Sequence, residues 1–251
     1  MITQEDLYAA NKLAAKFFVS SVTEDVKGLI LNRVSEEIFK KTCIGYAPKD
    51  GGLLEEIHKS GLDPYLFDYL GLTGYNDGGD KYEAYTNRIM LPIIEYQNVI
   101  GFSGRTLDKD VPNKYLNSKK SLIYNKSNVL YPIELTKKNI CNSEFCLLVE
   151  GYFDALTLIS YGIHNVVSAC GTAFNDNHAK IIRRWTHKVW VMFDGDAAGK
   201  KTANEAKKVL QKYNIYGGII NLPTGYDPDD IIKGVGKDKF LKFVIKNMER
   251  D

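Results

Sequence analysis

The sequence predicts an α/β protein, with an α+β N-terminal half followed by a Rossmann-like parallel sheet with flanking helices. Two observations carry that expectation. In the second half, short apolar runs rich in β-branched and aromatic residues alternate with segments of helical periodicity, which is the pattern of βαβ units. Three of those runs end in carboxylates, at Glu150-Gly-Tyr-Phe-Asp154, Asp194-Gly-Asp196 and Asp227-Pro-Asp229-Asp230, and ligands of open α/β sheets gather at the carboxyl ends of the strands.

In chain order, Thr3-Gln-Glu-Asp6 opens an amphipathic helix that runs through about Val19. Gly101-Phe-Ser-Gly104 is expected to close a hairpin after Val99-Ile100, leaving Arg105 to project from the strand beyond. Cys146-Leu-Leu-Val149, Val166-Val-Ser-Ala-Cys170, Val189-Trp-Val-Met-Phe193 and Ile219-Ile-Asn-Leu222 read as strands of the buried parallel sheet. The helices between them span Asp154 to Tyr161, Asn175 to Trp185 and Ala197 to Tyr213. Asp227-Pro-Asp229 reads as a turn and N-cap before a helix from Ile231, and Asp238 to Met248 as the last helix.

The 251 residues, 44% of them hydrophobic, suffice for a sizeable core. No apolar stretch approaches the roughly 20 residues needed to cross a bilayer, and no signal peptide is visible, so a cytoplasmic protein without a membrane partner is expected. Cys43, Cys141, Cys146 and Cys170 lack Cys-x-x-Cys pairing and read as reduced packing residues. His58, His164, His178 and His187 lack metal-ligand spacing and read as surface or capping residues. Neither zinc nor an organic cofactor is expected.

Right-handed crossovers bring the three acidic signatures to one rim of the sheet, where several close carboxylates repel unless a cation joins them. A hard ion such as Mg²⁺ prefers oxygen ligands and keeps waters for substrate phosphates to replace, which is phosphoryl-transfer chemistry. Asp194 and Asp196 are the first choices as ligands, then Asp227 and Asp229, with Asp154 as a ligand or as a residue that orients one. Taken singly, Asp-Gly-Asp and Asp-Pro-Asp are also ordinary turn and N-cap sequences.

Glu150-Gly-Tyr-Phe-Asp154 followed by Asp194-Gly-Asp196-Ala-Ala-Gly199 resembles a Toprim domain over roughly Phe145 to Val235. Upstream, Cys43-Ile-Gly-Tyr-Ala-Pro48, Asn87-Arg-Ile-Met-Leu-Pro-Ile93, Val99-Ile-Gly-Phe-Ser-Gly-Arg105 and Lys114-Tyr-Leu-Asn-Ser118 resemble the RNA-polymerase core of bacterial and phage-type primases. The resemblance implies a basic template- and nucleotide-binding subdomain over 1–140, a Toprim catalytic subdomain over 141–236 and a helical remnant over 237–251. It implies template-directed synthesis of RNA primers from ribonucleoside triphosphates on single-stranded DNA, with two or more Mg²⁺ or Mn²⁺ ions. Glu150, Asp194 and Asp196 would be catalytic. The matching glutamate of Toprim proteins is assigned either to metal binding or to acid-base work.

Between Gly104 and Lys138 eight basic residues meet three acidic ones, although the whole chain is only +2. On composition this is either a solvated lysine-rich face with core tyrosines or a phosphate-gathering segment with Tyr115, Tyr124 and Tyr131 as stacking surfaces. The resemblance selects Arg105, Lys114, Asn117 and Lys126, with Arg88 and Arg33 as further candidates for template or nucleotide contact. Arg33 and Arg88 could equally cap a helix or pair with a carboxylate. Ser103 stands where primases usually have glycine, and Lys119-Lys120 replace a usual Pro-Glu. The zinc-ribbon and helicase-contacting domains of full-length primases are not visible, so an excised core or a minimal phage or mobile-element protein is expected, with a zinc-ribbon domain or replicative helicase supplied elsewhere. A Toprim nuclease and a non-catalytic binding module are the alternatives.

Overall fold

The computed structural model describes residues 2–248. The chain forms two compact units, one of residues up to Asn32 with Glu36–Asn125, the other of Arg33–Ser35 with the residues from Lys126 onward.

The first unit is α+β. It contains α1 (Gln4–Ser20), α2 (Glu24–Leu31), α3 (Glu36–Lys41), β1 (Gly45–Ala47), α4 (Leu53–Ser60), α5 (Pro64–Leu70), β2 (Thr73–Tyr75), β3 (Lys81–Glu83), β4 (Arg88–Glu95), β5 (Asn98–Thr106) and β6 (Tyr115–Asn117). Thr3 starts α1 through a capping box, its hydroxyl accepting from Asp6 N at 3.2 Å while Asp6 accepts from Thr3 N at 2.9 Å. Leu7, Ala10, Ala14 and Phe18, spaced for one helix face, are buried. Phe18 meets Phe102 of β5 edge-on, ring centroids 5.4 Å apart. The sheet is antiparallel in the order β1-β4-β5-β6.

The β4–β5 hairpin turns at Tyr96-Gln97, both with positive φ (47° and 68°), between the paired residues Glu95 and Asn98. Gly101–Gly104 therefore lies inside β5 and does not close the hairpin, contrary to the expectation from sequence. Its glycines serve packing instead. A Cβ on Gly104 would stand 2.7 Å from the Tyr85 ring and 3.1 Å from Met90 Sδ, and one on Gly101 would stand 3.0 Å from the Tyr124 ring.

The second unit contains α6 (Ile133–Ser143), β7 (Cys146–Val149), α7 (Tyr152–Ser160), β8 (Val166–Ser168), α8 (Asp176–Ile182), β9 (Val189–Val191), α9 (Ala197–Lys212), α10 (Pro228–Val235) and α11 (Lys237–Met248). β8-β7-β9 form a fully parallel, fully buried sheet. Its edges are extended by bridges. Tyr131 pairs antiparallel with Ser168, and Tyr216 and Ile219 pair parallel with Lys188 and Val191. The Tyr131 bridge draws the segment after Lys126 into this unit, along with the whole of α6, which a boundary at 140 would cut.

Ile219–Leu222 contributes a bridge and not a full strand, since the following Pro223 has no N–H to extend a ladder. α10 begins at Pro228 and not Ile231, because Asp227 is the N-cap and proline suits the first helical position. Tyr124 and Tyr131 are core residues, 2% and 3% exposed, so of the three tyrosines only Tyr115 retains a partly open ring. Cys43 and Cys141 are exposed and only Cys146 and Cys170 pack inside. His178 does cap, its Nδ1 accepting from Asn175 N at 3.3 Å, but it is buried and not at the surface. No helix among the described residues is long and apolar enough to cross a membrane.

Candidate active site

Glu150 follows the last residue of β7. Its carbonyl accepts from Ser168 Oγ at 2.8 Å and Gly171 N at 3.0 Å, which ties the β7 exit to the β8 exit. Gly151 then turns the chain into α7, its N–H donating to Asp154 Oδ2 at 2.8 Å. Asp154 is 9% exposed, whereas Glu150 is half-buried.

Asp194-Gly195-Asp196 joins β9 to α9. Asp196 caps α9, its Oδ1 accepting from Gly199 N at 2.7 Å. Both glycines of the motif are forced by close backbone approach, since a Cβ would stand 2.0 Å from the Pro223 carbonyl oxygen at Gly195 and 2.2 Å from that of Asp194 at Gly199. Gly195 N also donates to Tyr226 O at 3.0 Å, fastening this loop to the third acidic segment. There Asp227 caps α10, with Oδ1 accepting from Asp230 N at 2.7 Å. Asp227, Asp229 and Asp230 each bring an oxygen within 4.8 Å of the others. Asp229 is 3% exposed and lies against Arg33 Nη1 at 3.2 Å and Lys233 Nζ at 2.8 Å.

The three signatures sense one another electrostatically. Burial raises the Glu150 carboxyl above its usual range, and the negative charges of Asp194 and Asp196 add to it. Asp154 is pushed up to about 7, first by burial and then by Asp227, with Asp194 and Asp229 contributing. Asp227 is raised by burial and by Asp230 and Asp229, while its own hydrogen bond from Asp230 N and the nearby Arg33 oppose the shift. All-oxygen donors under mutual repulsion suit a hard divalent cation. A cavity of about 360 Å³ lined by Trp185, His187, Lys188 and Tyr216 lies instead at the amino ends of the strands and includes none of these carboxylates.

The basic candidates divide. Arg105 of β5 is paired in register with Tyr115 of β6, and Ser103 with Asn117. Period-two geometry therefore puts Arg105, Tyr115 and Asn117 on one face of the sheet. The Arg105 guanidinium lies 6.0 Å from the Tyr115 ring centroid. Arg88 pairs with Thr106, one position out of phase, and so belongs to the opposite face, where Nη1 donates to Gly104 O at 3.0 Å. Lys114 immediately precedes β6 and is exposed. Lys126, in the second unit, is half-buried in a short 3₁₀ turn, and burial lowers its pKa. Arg33 is engaged by Asp229.

The sequence alone assigns no contact to Ser168, Gly195 or Lys233. Ser168 acts through its hydroxyl on the Glu150 carbonyl 18 residues away, and Gly195 through its N–H on the Tyr226 carbonyl 31 residues away. Only Lys233, four residues after Asp229 on a helix, left a legible signal.

A family profile described as DNA primase catalytic core, N-terminal domain, matches residues 20–137, and a Toprim-like profile matches residues 147–232. The DNA primase of Aquifex aeolicus is 32% identical over 244 residues, 96% of this chain and 49% of that protein. The chain thus spans about half the length of this curated relative. The E. coli primase catalytic core is similar in structure with a TM-score of 0.84 at 30% identity, covering 97% of this chain and 80% of that one. A DnaG primase catalytic domain bound to single-stranded DNA gives a TM-score of 0.87 at 29% identity, covering 97% and 81%.

Proposed function

Because the chain belongs to the family of DNA primase catalytic cores, we propose that it synthesises short RNA primers from ribonucleoside triphosphates on a single-stranded DNA template. The observation that carries this reading is the raising of the Glu150, Asp154 and Asp227 carboxyls, first by burial and then by acidic neighbours that include Asp194 and Asp196, at the carboxyl ends of a parallel sheet. Glu150, Asp194 and Asp196 would hold divalent metal, with Asp154, Asp227 and Asp229 completing the acidic rim. Mg²⁺ or Mn²⁺ held there would supply charge neutralisation for phosphoryl transfer.

In the reaction the 3′ hydroxyl of one nucleotide gives up its proton to water and its oxygen bonds to the α-phosphorus of the next, while the α–β phosphoanhydride breaks and pyrophosphate leaves. The carboxylates would position the triphosphate only through the cation they hold, since the two anions repel directly, while Gly195 and Gly199 let the Asp194 loop approach the neighbouring backbone closely. Arg105, Lys114 and Asn117 of the first unit contact template or nucleotide phosphates, the arginine from a fixed strand and the lysine as a mobile charge. Lys126 supplies a further cation from the second unit.

The test is incorporation of labelled ribonucleotides on single-stranded DNA with Mg²⁺ or Mn²⁺, comparing the wild type with Asp194→Ala and Asp196→Ala. Short RNA products lost in both variants are expected. Undiminished synthesis in the variants overturns the metal assignment, and loss of the labelled template without synthesis makes the chain a nuclease.

A further inference from the structure

Among the carboxylates of the acidic rim, Asp229 is one that is buried and faced by two cations. Lys233 Nζ lies 2.8 Å from Oδ1 without a hydrogen bond to it and donates to Oδ2 at 2.9 Å, where Arg33 also donates at 3.2 Å. Lys233 is on the same helix, four residues on. Arg33 comes from 196 residues away.

The segment that carries Arg33 is built to bring it there. Arg33–Ser35 belongs to the second unit, although the chain on both sides of it belongs to the first. The Thr157 hydroxyl donates to the Arg33 carbonyl at 3.0 Å, Ser35 N donates to Ser160 Oγ at 2.9 Å, and the Arg33 guanidinium lies 5.3 Å from the Phe153 ring centroid. Phe153, Thr157 and Ser160 recur at i, i+4 and i+7, one stripe of α7. Val34 between these anchors is 2% exposed. Three residues are thus clasped along a helix face, with a cation–π contact fixing the guanidinium beside the carboxylate.

A carboxylate already flanked by two cations is a poor ligand for a third, because a divalent ion would have to approach two positive charges a few ångströms away or displace one of them. Removing one partner of such a buried pair is also costly, so the arrangement holds its geometry. The turn between Asp227 and Asp230 is then fixed twice, by the Asp227 cap on Asp230 N and by the two cations on Asp229.

We infer that Asp229 is an anchor and not an ion ligand, and that Arg33, presented by the Arg33–Ser35 clasp, is a positioning residue that sets the first turn of α10 and with it Asp227, and not a template contact. The inference rests on the reading of the acidic rim as a metal site and deepens it by dividing the carboxylates into those that meet the ion and one that holds the frame.

The test is Mn²⁺ binding followed by electron paramagnetic resonance, together with single-stranded DNA binding across a salt series, on the whole chain. Arg33→Gln is expected to weaken Mn²⁺ binding by about tenfold, as loss of a residue behind a ligand does. Arg33→Lys should restore it to within about threefold, since Lys233 already shows that an ammonium can pair with Asp229. Asp229→Asn should keep the number of bound ions and lose affinity as Arg33→Gln does. The double variant should be no weaker than either single one.

DNA affinity and its salt slope should not change. Asp194→Asn, in contrast, should lose an ion. If Asp229→Asn also loses an ion, Asp229 is a ligand. If Arg33→Gln flattens the salt slope of DNA binding and leaves Mn²⁺ affinity intact, Arg33 is a template contact. If Asp194→Asn keeps every ion, the metal site itself is misplaced and this inference falls with it. Arg33→Lys and Asp229→Asn carry the test should Arg33→Gln fail to fold.

Discussion

Replacing Asp154 by asparagine asks whether the acidic rim is held against the preference of its own charges. The Asp154 carboxyl moves from 3.8 to about 7, chiefly through burial, with Asp227, Asp194 and Asp229 adding and the Gly151 N hydrogen bond opposing. For an acid, a raised value means that the folded chain binds the proton more tightly than the unfolded one. Stability is therefore gained as the pH falls from about 7 towards 3.8, and the ionised group is a burden above about 7.

At about 1.36 kcal/mol for each power of ten in proton affinity, the burden at pH 8 is about 4 kcal/mol. Asparagine keeps an oxygen for Gly151 N, now at 2.8 Å, and removes the charge. Without divalent metal at pH 8, Asp154→Asn should therefore melt higher than the wild type, by up to about 10 °C in a chain of this size. The difference should fall to under half by pH 5. Adding Mg²⁺ at pH 8 should narrow it, because a cation at the rim relieves the wild type more than the variant. Thermal unfolding by circular dichroism across this pH series decides the matter. Equal midpoints at pH 8, or a difference that grows with acid, would refute the reasoning.

Ser103 is 0% exposed and its Oγ has no hydrogen-bond partner. Ser103→Ala should raise stability by about 1 kcal/mol in denaturant unfolding, since it removes a buried unsatisfied hydroxyl. Gly195→Ala would set a Cβ 2.0 Å from the Pro223 carbonyl oxygen. The loop must shift, so Mn²⁺ binding should weaken and the melting midpoint should fall, and a variant that matches the wild type in both would show that the approach is not tight. Arg105→Ala should reduce the log–log salt slope of single-stranded DNA binding by about 1. Arg88→Ala, which removes a donor to Gly104 O on the opposite sheet face, should lower stability and leave that slope unchanged, and the reverse pattern would exchange their roles.

What was legible in the sequence was the part written in local periodicity. The β7, β8 and β9 runs are buried on both faces, so they read as continuous apolar segments, and the helices between them follow a 3.6-residue period. The Gly101–Gly104 segment misled because glycine marks turns and close packing alike. Only the Tyr85, Met90 and Tyr124 side chains, distant in sequence, show which applies. Tyr124 and Tyr131 left two readings open for a similar reason, since a tyrosine in a lysine-rich stretch looks the same whether its ring stacks on a base or fills a core. Arg33 lies beyond local reading altogether, because its partner is 196 residues away.

The capping and metal-binding readings of the acidic motifs, which compete in the sequence, are compatible in the structure. Asp196 and Asp227 each give one oxygen to the first turn of a helix, and Asp154 gives one to the N–H that opens another. Each of these hydrogen bonds uses a single carboxylate oxygen. The amino ends of α7, α9 and α10, where backbone N–H groups carry partial positive charge, thus hold the carboxylates in place. That explains how a fold can keep so much negative charge on one rim before any ion arrives. It also explains why the strain concentrates on Asp154, which is 9% exposed and has burial as the largest cause of its shift, whereas Asp196 remains exposed to solvent. Helix ends can orient carboxylates but cannot replace the water that burial removes. A cation at the rim would therefore relieve Asp154 most, and the pH dependence of its asparagine variant is the place where that relief can be read.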